Sequence, residues 1–222
     1  MDIALGNFIG NAMTNMVGFS KQFMAGPMDG YAEYVHKMTS IQTIKSNTES
    51  AFGGDTNRQM VQINRTLSDL NKYADQTIYS FEDMTRNIGT FTAAGVGLED
   101  SATAIKGISN LAAASGSSTM QASTAMYQLS QALASGRVSL MDWNSVVNAG
   151  MGGELFKNAL YDTADAMGIA RDKTESFRDS LQDGWLTSEV LLETLKKFST
   201  NDSMLDAATK VKTFSQLIDT TK

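Results

Sequence analysis

Residues 98–150 read LEDSATAIKGISNLAAASGSSTMQASTAMYQLSQALASGRVSLMDWNSVVNAG. Apolar residues recur there at intervals of three and four, which is the spacing of one face of an α-helix. Ser118 and Ser139 each precede such a run, with Gln121 and Asp142 three residues further on as capping partners. Glycine closes the runs at three places: Gly116, Gly136 and Gly150. The pattern predicts short helices and tight turns, stacked side by side as helical hairpins.

The same pattern of capping residues and closing glycines continues in both directions along the chain. It predicts an all-α fold, with stacked short amphipathic helices or helical hairpins flanked by longer helices. The segments predicted to be helical are 3–23, 29–43, 56–78, 81–91, 98–115, 118–136, 139–149, 155–167, 171–183, 190–198 and 205–218. Thr56 and Gln59 have the spacing of a capping box before the long 56–78 helix. Three regions follow from these breaks: 1–79 with amphipathic N-terminal helices, 80–200 as a central helical domain, and 201–222 as the start of a further helix that ends like a cut chain.

Composition narrows the function classes. The chain has 222 residues, of which 42% are hydrophobic and 19% charged, as in a soluble protein with a sizeable core. It contains no Cys, which excludes disulfides and thiolate chemistry, and its one Pro, Pro27, favours long helices. A formal net charge of −6 argues against nucleic acid as a partner, because phosphate binding needs clustered Lys and Arg.

Residues for catalysis are sparse. His36 is the only His and has no visible partner set, so a structural role is favoured. The pairs Glu82-Asp83 and Glu99-Asp100 stand in the first turn of predicted helices, where carboxylates stabilise the helix dipole. Glu49 and Glu175 precede Ser residues and remain candidates for the acid of a peptidoglycan-cleaving site. We predict no enzyme activity, cofactor site or metal site.

Trp143 and Trp185 are the candidate interaction residues of the central region. Each follows a turn, so an anchor that faces a partner and an indole in the core are both open. We favour the core for Trp143, and expect it to hold the helix 140–149 against the hairpin formed by 98–135, with Val146 and Val147 on the same side.

Three apolar stripes, and not residues 98–150, are predicted to exceed what one bundle can cover and to mediate self-association or binding to a helical chaperone. Phe8, Met16 and Phe23 belong to the stripe of the first helix, and Leu67 and Leu70 to a near-heptad stripe in the third. Apolar residues at the end of the chain form a third stripe: Val211, Phe214, Leu217 and Ile218. Residues 3–23 are also open to a second interpretation, as a helix on a membrane surface.

Five segments of the chain carry a family resemblance. They are 87–95 (NIGTFTAAG), 108–116 (ISNLAAASG), 128–136 (QLSQALASG), 136–151 (GRVSLMDWNSVVNAGM) and 185–195 (WLTSEVLLETL). Together they resemble the N-terminal conserved region of tape-measure proteins from long-tailed bacteriophages and prophages. The match departs from the family pattern at 150–153, which lacks the Pro often found after the closing glycine.

The resemblance implies a structural virion protein that occupies the tail-tube lumen, sets tail length, and takes part in tail assembly and DNA ejection. It also implies a place in the virion tail, and in the host cytoplasm during assembly, with a tail-assembly chaperone and the tail-tube protein as partners. A fully helical chain of 222 residues would span about 330 Å, so a longer parent protein is expected. A peptidoglycan-lytic or membrane-active domain associated with the tail remains the alternative.

Overall fold

The structure is a computed structural model that describes the backbone of residues 31–220 and the side chains of residues 39–213. Within those ranges the regular structure is helical, apart from an isolated antiparallel bridge between Arg137 and Thr187. The predicted all-α fold is confirmed.

Helices follow one another through short connections. The first five are α1 (Tyr31–Thr48), α2 (Thr56–Gln76), α3 (Phe81–Ala93), α4 (Leu98–Ala114) and α5 (Thr119–Ser135). The next five are α6 (Leu140–Asn148), α7 (Glu154–Ala166), α8 (Phe177–Ser180), α9 (Ser188–Ser199) and α10 (Asp202–Thr220). Two 3₁₀ turns follow α1 and α8, at Glu49–Phe52 and Leu181–Asp183.

The helix starts of the central region lie where the capping residues predict them. The Ser118 hydroxyl accepts a hydrogen bond from the backbone N–H of Gln121, whose side chain accepts one in return from the N–H of Ser118. Ser139 and Asp142 form the same reciprocal pair at α6. These bonds satisfy N–H groups that a helix start otherwise leaves without a partner.

The capping box predicted at Thr56 and Gln59 is wrong. Asp55 is the capping residue of α2, and its carboxylate accepts from the N–H of Arg58 at 2.9 Å. The Gln59 side chain is buried instead, and donates to the backbone oxygen of Lys45 and to the Thr48 hydroxyl. The Gln59 side-chain amide therefore bonds α2 to α1 and is not available to cap the start of its own helix.

Two predicted helix boundaries also change. The helix expected over 29–43 extends to Thr48, because Ile41 and Ile44 bury their side chains against the core and override their β-branched preference. The helix expected over 171–183 is reduced to α8 and the 3₁₀ turn after it. Residues 167–176 are not helical; there Asp172 accepts hydrogen bonds from the N–H and hydroxyl of Thr174.

Helix α4 lies at the centre of the bundle and contacts α2, α3, α5, α9 and α10. Its small residues allow close approach. An ideal Cβ placed on Gly107 would lie 2.0 Å from the backbone oxygen of Leu195 in α9. Residues 107–114 of α4 carry no charge, as expected for a helix that is buried on almost every side.

Asn110 of α4 connects three helices through polar contacts inside the core. The Tyr73 hydroxyl of α2 donates to Asn110 Oδ1 at 2.6 Å, and Asn110 Nδ2 donates to the backbone oxygen of Phe198 in α9 at 3.1 Å. Burial raises the pKa of the Tyr73 hydroxyl above its ordinary value. A fully buried amide is tolerated because both of its ends are paired.

The hydrophobic core runs without a break from Ile41 in α1 to Met204 in α10. Residues on both sides of position 79 contribute to this core. The division of the chain into 1–79, 80–200 and 201–222 stays a prediction. In the part of the chain that the structure describes, no helix combines the length and hydropathy needed to cross a membrane.

Candidate functional site

The segments 136–151 and 185–195 meet in the fold although they are far apart in sequence. The backbone N–H of Val138 donates to the oxygen of Leu186, and the N–H of Ser188 donates to the oxygen of Gly136, both at 2.9 Å. These two bonds flank the bridge between Arg137 and Thr187. The bridge places the start of α6 beside the start of α9.

Gly136 and Gly150 are positioned at opposite ends of this region. Gly136 ends α5 in the left-handed conformation (φ 83°), and Gly150 follows α6 with φ 78°. The N–H of Gly150 donates to the oxygen of Val147, which closes the last turn of α6. Both positions disfavour any residue with a Cβ, so their role here is to reverse the chain.

Trp143 lies in an aromatic cluster, with 1% of its surface exposed. Its ring centroid is 4.2 Å from that of Phe177 and 5.7 Å from that of Phe156. These two ring contacts are with α7 and α8, while α6 itself also contacts α5 of the hairpin 98–135. That Trp143 is the residue that holds α6 against this hairpin stays a prediction. Val146 is buried with it, whereas Val147, one turn after Trp143, is 40% exposed and lies at the edge of this buried face.

Trp185 is also buried and contacts Phe177, at a centroid distance of 5.7 Å. Its indole N–H donates to the Ser180 hydroxyl at 3.0 Å, and its ring stacks on Tyr161 at 5.3 Å. The polar end of the indole is therefore satisfied within the chain. In this arrangement neither tryptophan presents a face for a partner.

Arg171 covers the outer side of this cluster. Its guanidinium carbon lies 3.9 Å from the centroid of the Tyr161 ring and 5.9 Å from that of Trp185. Asp165 accepts from Arg171 at 3.3 Å and from Lys173 at 3.0 Å. The hydrogen bond from Lys173, with the positive charge of Arg171, lowers the pKa of Asp165 below its ordinary value.

The predicted surplus stripe of the 56–78 helix is not available to a partner. Leu67 and Leu70 are fully buried, because α1, α3 and α4 cover that face of α2. The prediction for these two residues is therefore corrected to a role in the core. Phe8, Met16 and Phe23 lie outside the described residues. The same holds for the side chains of the last predicted stripe beyond Val211, which is half-buried.

Exposed apolar side chains lie elsewhere, and the sequence reasoning missed them. Most of the large ones among the described side chains belong to residues 120–155: Met120, Tyr127, Leu140, Met141, Val147 and Leu155. Met120 and Met141 are 79% and 75% exposed. Each is the second residue of a capped helix and lies off its buried stripe, which is the signal that could have identified them.

The carboxylates considered for a peptidoglycan-cleaving site lie on the surface. Glu49 and Glu175 are both exposed, and neither lines the grooves of about 480, 500 and 250 Å³ that lie between helices α1 to α4. The pKa of Glu175 is raised chiefly by the nearby charge of Asp183, not by an enclosing cleft. Among the described side chains no cluster of His, Asp and Glu could hold a metal ion, and the side chain of His36 lies outside them.

Comparison with known proteins gives the family. A family model described as "Tape measure protein" matches residues 32–221, which include all five of the resembling segments. The chain belongs to the tape measure protein family. Tape measure proteins are structural components of phage tails, and a tail location follows for this chain. No curated protein and no solved structure matches it.

Within this tape measure protein, the matched region includes all of α2 to α10 and nearly all of α1. The aromatic cluster and the bridge between 136–151 and 185–195 therefore lie within the residues that the family model matches.

Proposed function

We propose that this chain is a structural part of a tape measure protein that occupies the lumen of the phage tail tube, sets tail length by its own length, and leaves the tube when DNA is ejected. The family match over residues 32–221 carries the proposal. The helical fold supports it, because a helix has a constant rise of about 1.5 Å per residue and can serve as a ruler.

The proposal assigns no catalytic step to this chain. Buried polar groups such as Asn110 and Gln59 are used in contacts between helices, as expected when their role is to hold the bundle together. We place the protein in the host cytoplasm during assembly and in the tail afterwards.

The proposed partners are a second copy of the chain, a tail-assembly chaperone and the tail-tube protein. Exposed apolar residues support contacts between proteins, because surfaces of that kind are usually covered in an assembly. Dispersed Lys and Arg and the net charge of −6 make nucleic acid an unfavourable partner for this chain.

Tail length in the phage or prophage that encodes the chain tests the ruler function. Three extra in-frame copies of α10, which has 19 residues, should lengthen the tail by about 85 Å if they remain helical. A matched control carries Asp206→Asn and Lys210→Gln, which remove an exposed ion pair and leave the length unchanged.

Electron micrographs of purified particles give the mean tail length of each strain. Unchanged length in the extended strain, with assembled tails, would contradict the ruler function. If three copies prevent assembly, one extra copy with an expected gain of about 28 Å replaces them.

A further inference from the structure

The segment 167–176, which we call the strap, is the longest non-helical connection between helices in the described part of the chain. Its first residues are fixed by the end of α7, where the N–H of Ile169 donates to the oxygen of Ala164 at 2.9 Å. No backbone–backbone hydrogen bond joins residues 170–175 to the rest of the described chain. Side chains alone therefore hold the middle of the strap in place.

Arg171 provides the main attachment. Its side chain is only 10% exposed, and the central carbon of its guanidinium lies 3.9 Å from the centroid of the Tyr161 ring. A cation over an aromatic face at this distance is stabilising, and more so when water is excluded. Lys173, by contrast, is 68% exposed and contributes an ion pair that salt screens.

The attachment of the strap also includes two unfavourable features, which well-packed core residues do not have. The Nε of Arg171 is buried without a hydrogen-bond partner. Such a group loses its hydration and gains nothing in return. Further along, the charge of Asp183 after α8, and to a smaller extent that of Asp179 in α8, raises the pKa of Glu175 above its ordinary value. Like charges close together favour separation of the strap from α8 and the turn after it.

An aromatic surface lies below the strap. Tyr161 and Trp185 are stacked at 5.3 Å, and both contact Phe177. We infer that residues 167–176 form a releasable strap pinned by Arg171, and that its opening uncovers the faces of Tyr161 and Trp185 while the helices stay folded. This device is independent of the proposed ruler function.

Cleavage of the full chain by a Glu-specific protease tests the strap. Glu175 lies in the strap, whereas Glu82, Glu99 and Glu193 lie in helices. Cleavage requires a locally opened backbone, so its rate reports the opening. Arg171→Ala should raise the cleavage rate at Glu175 about tenfold, the equivalent of about 1.4 kcal/mol. Lys173→Ala is the matched control, and should change this rate far less.

Tryptophan fluorescence gives a second measurement, because Trp143 and Trp185 are the only indoles in the chain. Acrylamide should quench Arg171→Ala more than the parent, and the added quenching should disappear in Arg171→Ala combined with Trp185→Phe. Circular dichroism should show unchanged helix content.

Three results would overturn the inference. An unchanged rate at Glu175 in Arg171→Ala would show that Arg171 does not pin the strap. Equal acceleration at Glu82, Glu99 and Glu193 would show global unfolding and a purely structural Arg171. Added quenching that persists without Trp185 would place the uncovered surface elsewhere.

Discussion

Trp143 shows how one side chain connects segments that are distant in sequence. It belongs to α6, but its ring packs on Phe177 and Phe156 of two later helices. We expect Trp143→Ala to lower the free energy of unfolding by about 3–5 kcal/mol, because the truncation removes aromatic contacts and leaves a cavity. Urea denaturation followed by circular dichroism measures this loss.

Leu140→Ala is the matched control for Trp143, since Leu140 lies in the same helix with its side chain exposed. Its free energy of unfolding should stay within about 0.5 kcal/mol of the parent. Equal stability of Trp143→Ala and the parent would reject the core role of Trp143.

Tyr79 presents the opposite case, a buried hydroxyl without a hydrogen-bond partner. Burial raises its pKa from 10.0 to about 12. Below pH 10.0 the Tyr79 phenol is neutral in both the folded and the unfolded chain. Between pH 10.0 and about 12 it is ionised in the unfolded chain but still neutral in the folded one. The free energy of unfolding should therefore fall by about 1.4 kcal/mol per pH unit in that window through Tyr79.

Replacement by Phe separates these two effects. Tyr79→Phe should be neutral or stabilising at about pH 7, because it removes an unpaired buried polar group, and should lose about 1 kcal/mol less than the parent by about pH 11. Urea denaturation at both pH values checks this, with Tyr127→Phe on an exposed side chain as the control. A parallel decline of Tyr79→Phe and the parent would contradict the prediction.

At the scale of elements, the contact between α4 and α9 depends on the absence of a side chain at Gly107. A Cβ there would lie 2.0 Å from the Leu195 oxygen, and backbone cannot yield as a flexible side chain can. Gly107→Ala should therefore force the helices apart and cost about 1–3 kcal/mol or more, despite the better helix propensity of Ala. Thermal denaturation of the variant measures the cost.

Gly153→Ser supplies the comparison for Gly107→Ala. Gly153 caps α7, and a Cβ there meets nothing within 4 Å. The added hydroxyl can accept from the first turn, so this variant should be as stable as the parent or slightly more so. If Gly107→Ala has the same melting temperature as Gly153→Ser, α4 and α9 have room to adjust and the prediction is wrong.

At the scale of the whole molecule, association of the full chain can be tested by substitution rather than truncation. Removal of α2 would delete Leu67 and Leu70 and expose the core residues that they cover, so a trimmed chain would report its own damaged core. Met120→Gln combined with Met141→Gln should shift any self-association seen by light scattering toward the monomer, because both side chains are exposed.

Val61→Gln is the matched control for that pair, since Val61 is 68% exposed on α2, outside residues 120–155. It should leave the association unchanged. A loss of association with Val61→Gln alone would move the contact surface to α2. A parent chain that is monomeric at micromolar concentrations would reject self-association.

The sequence by itself determined the all-α fold, the turns at Gly136 and Gly150, and the capping pairs of Ser118 and Ser139. The physical reason is that these features depend on residues close together in sequence. A helix cap joins residues three positions apart, and a left-handed turn depends on a single residue. The family resemblance likewise rests on runs of adjacent residues, and the family match confirms it.

Only the tertiary structure decided which apolar faces are covered and which polar groups pair. Leu67 is buried because other helices cover that face of α2, and periodicity cannot tell a face that meets the core from one that meets a partner. The Gln59 side chain bonds to α1 and does not form the local cap that its sequence position predicts. Arg171 lies in a non-helical segment, contrary to the prediction, and its guanidinium lies over the Tyr161 ring, a contact between segments that the helical periodicity of its own segment does not reveal.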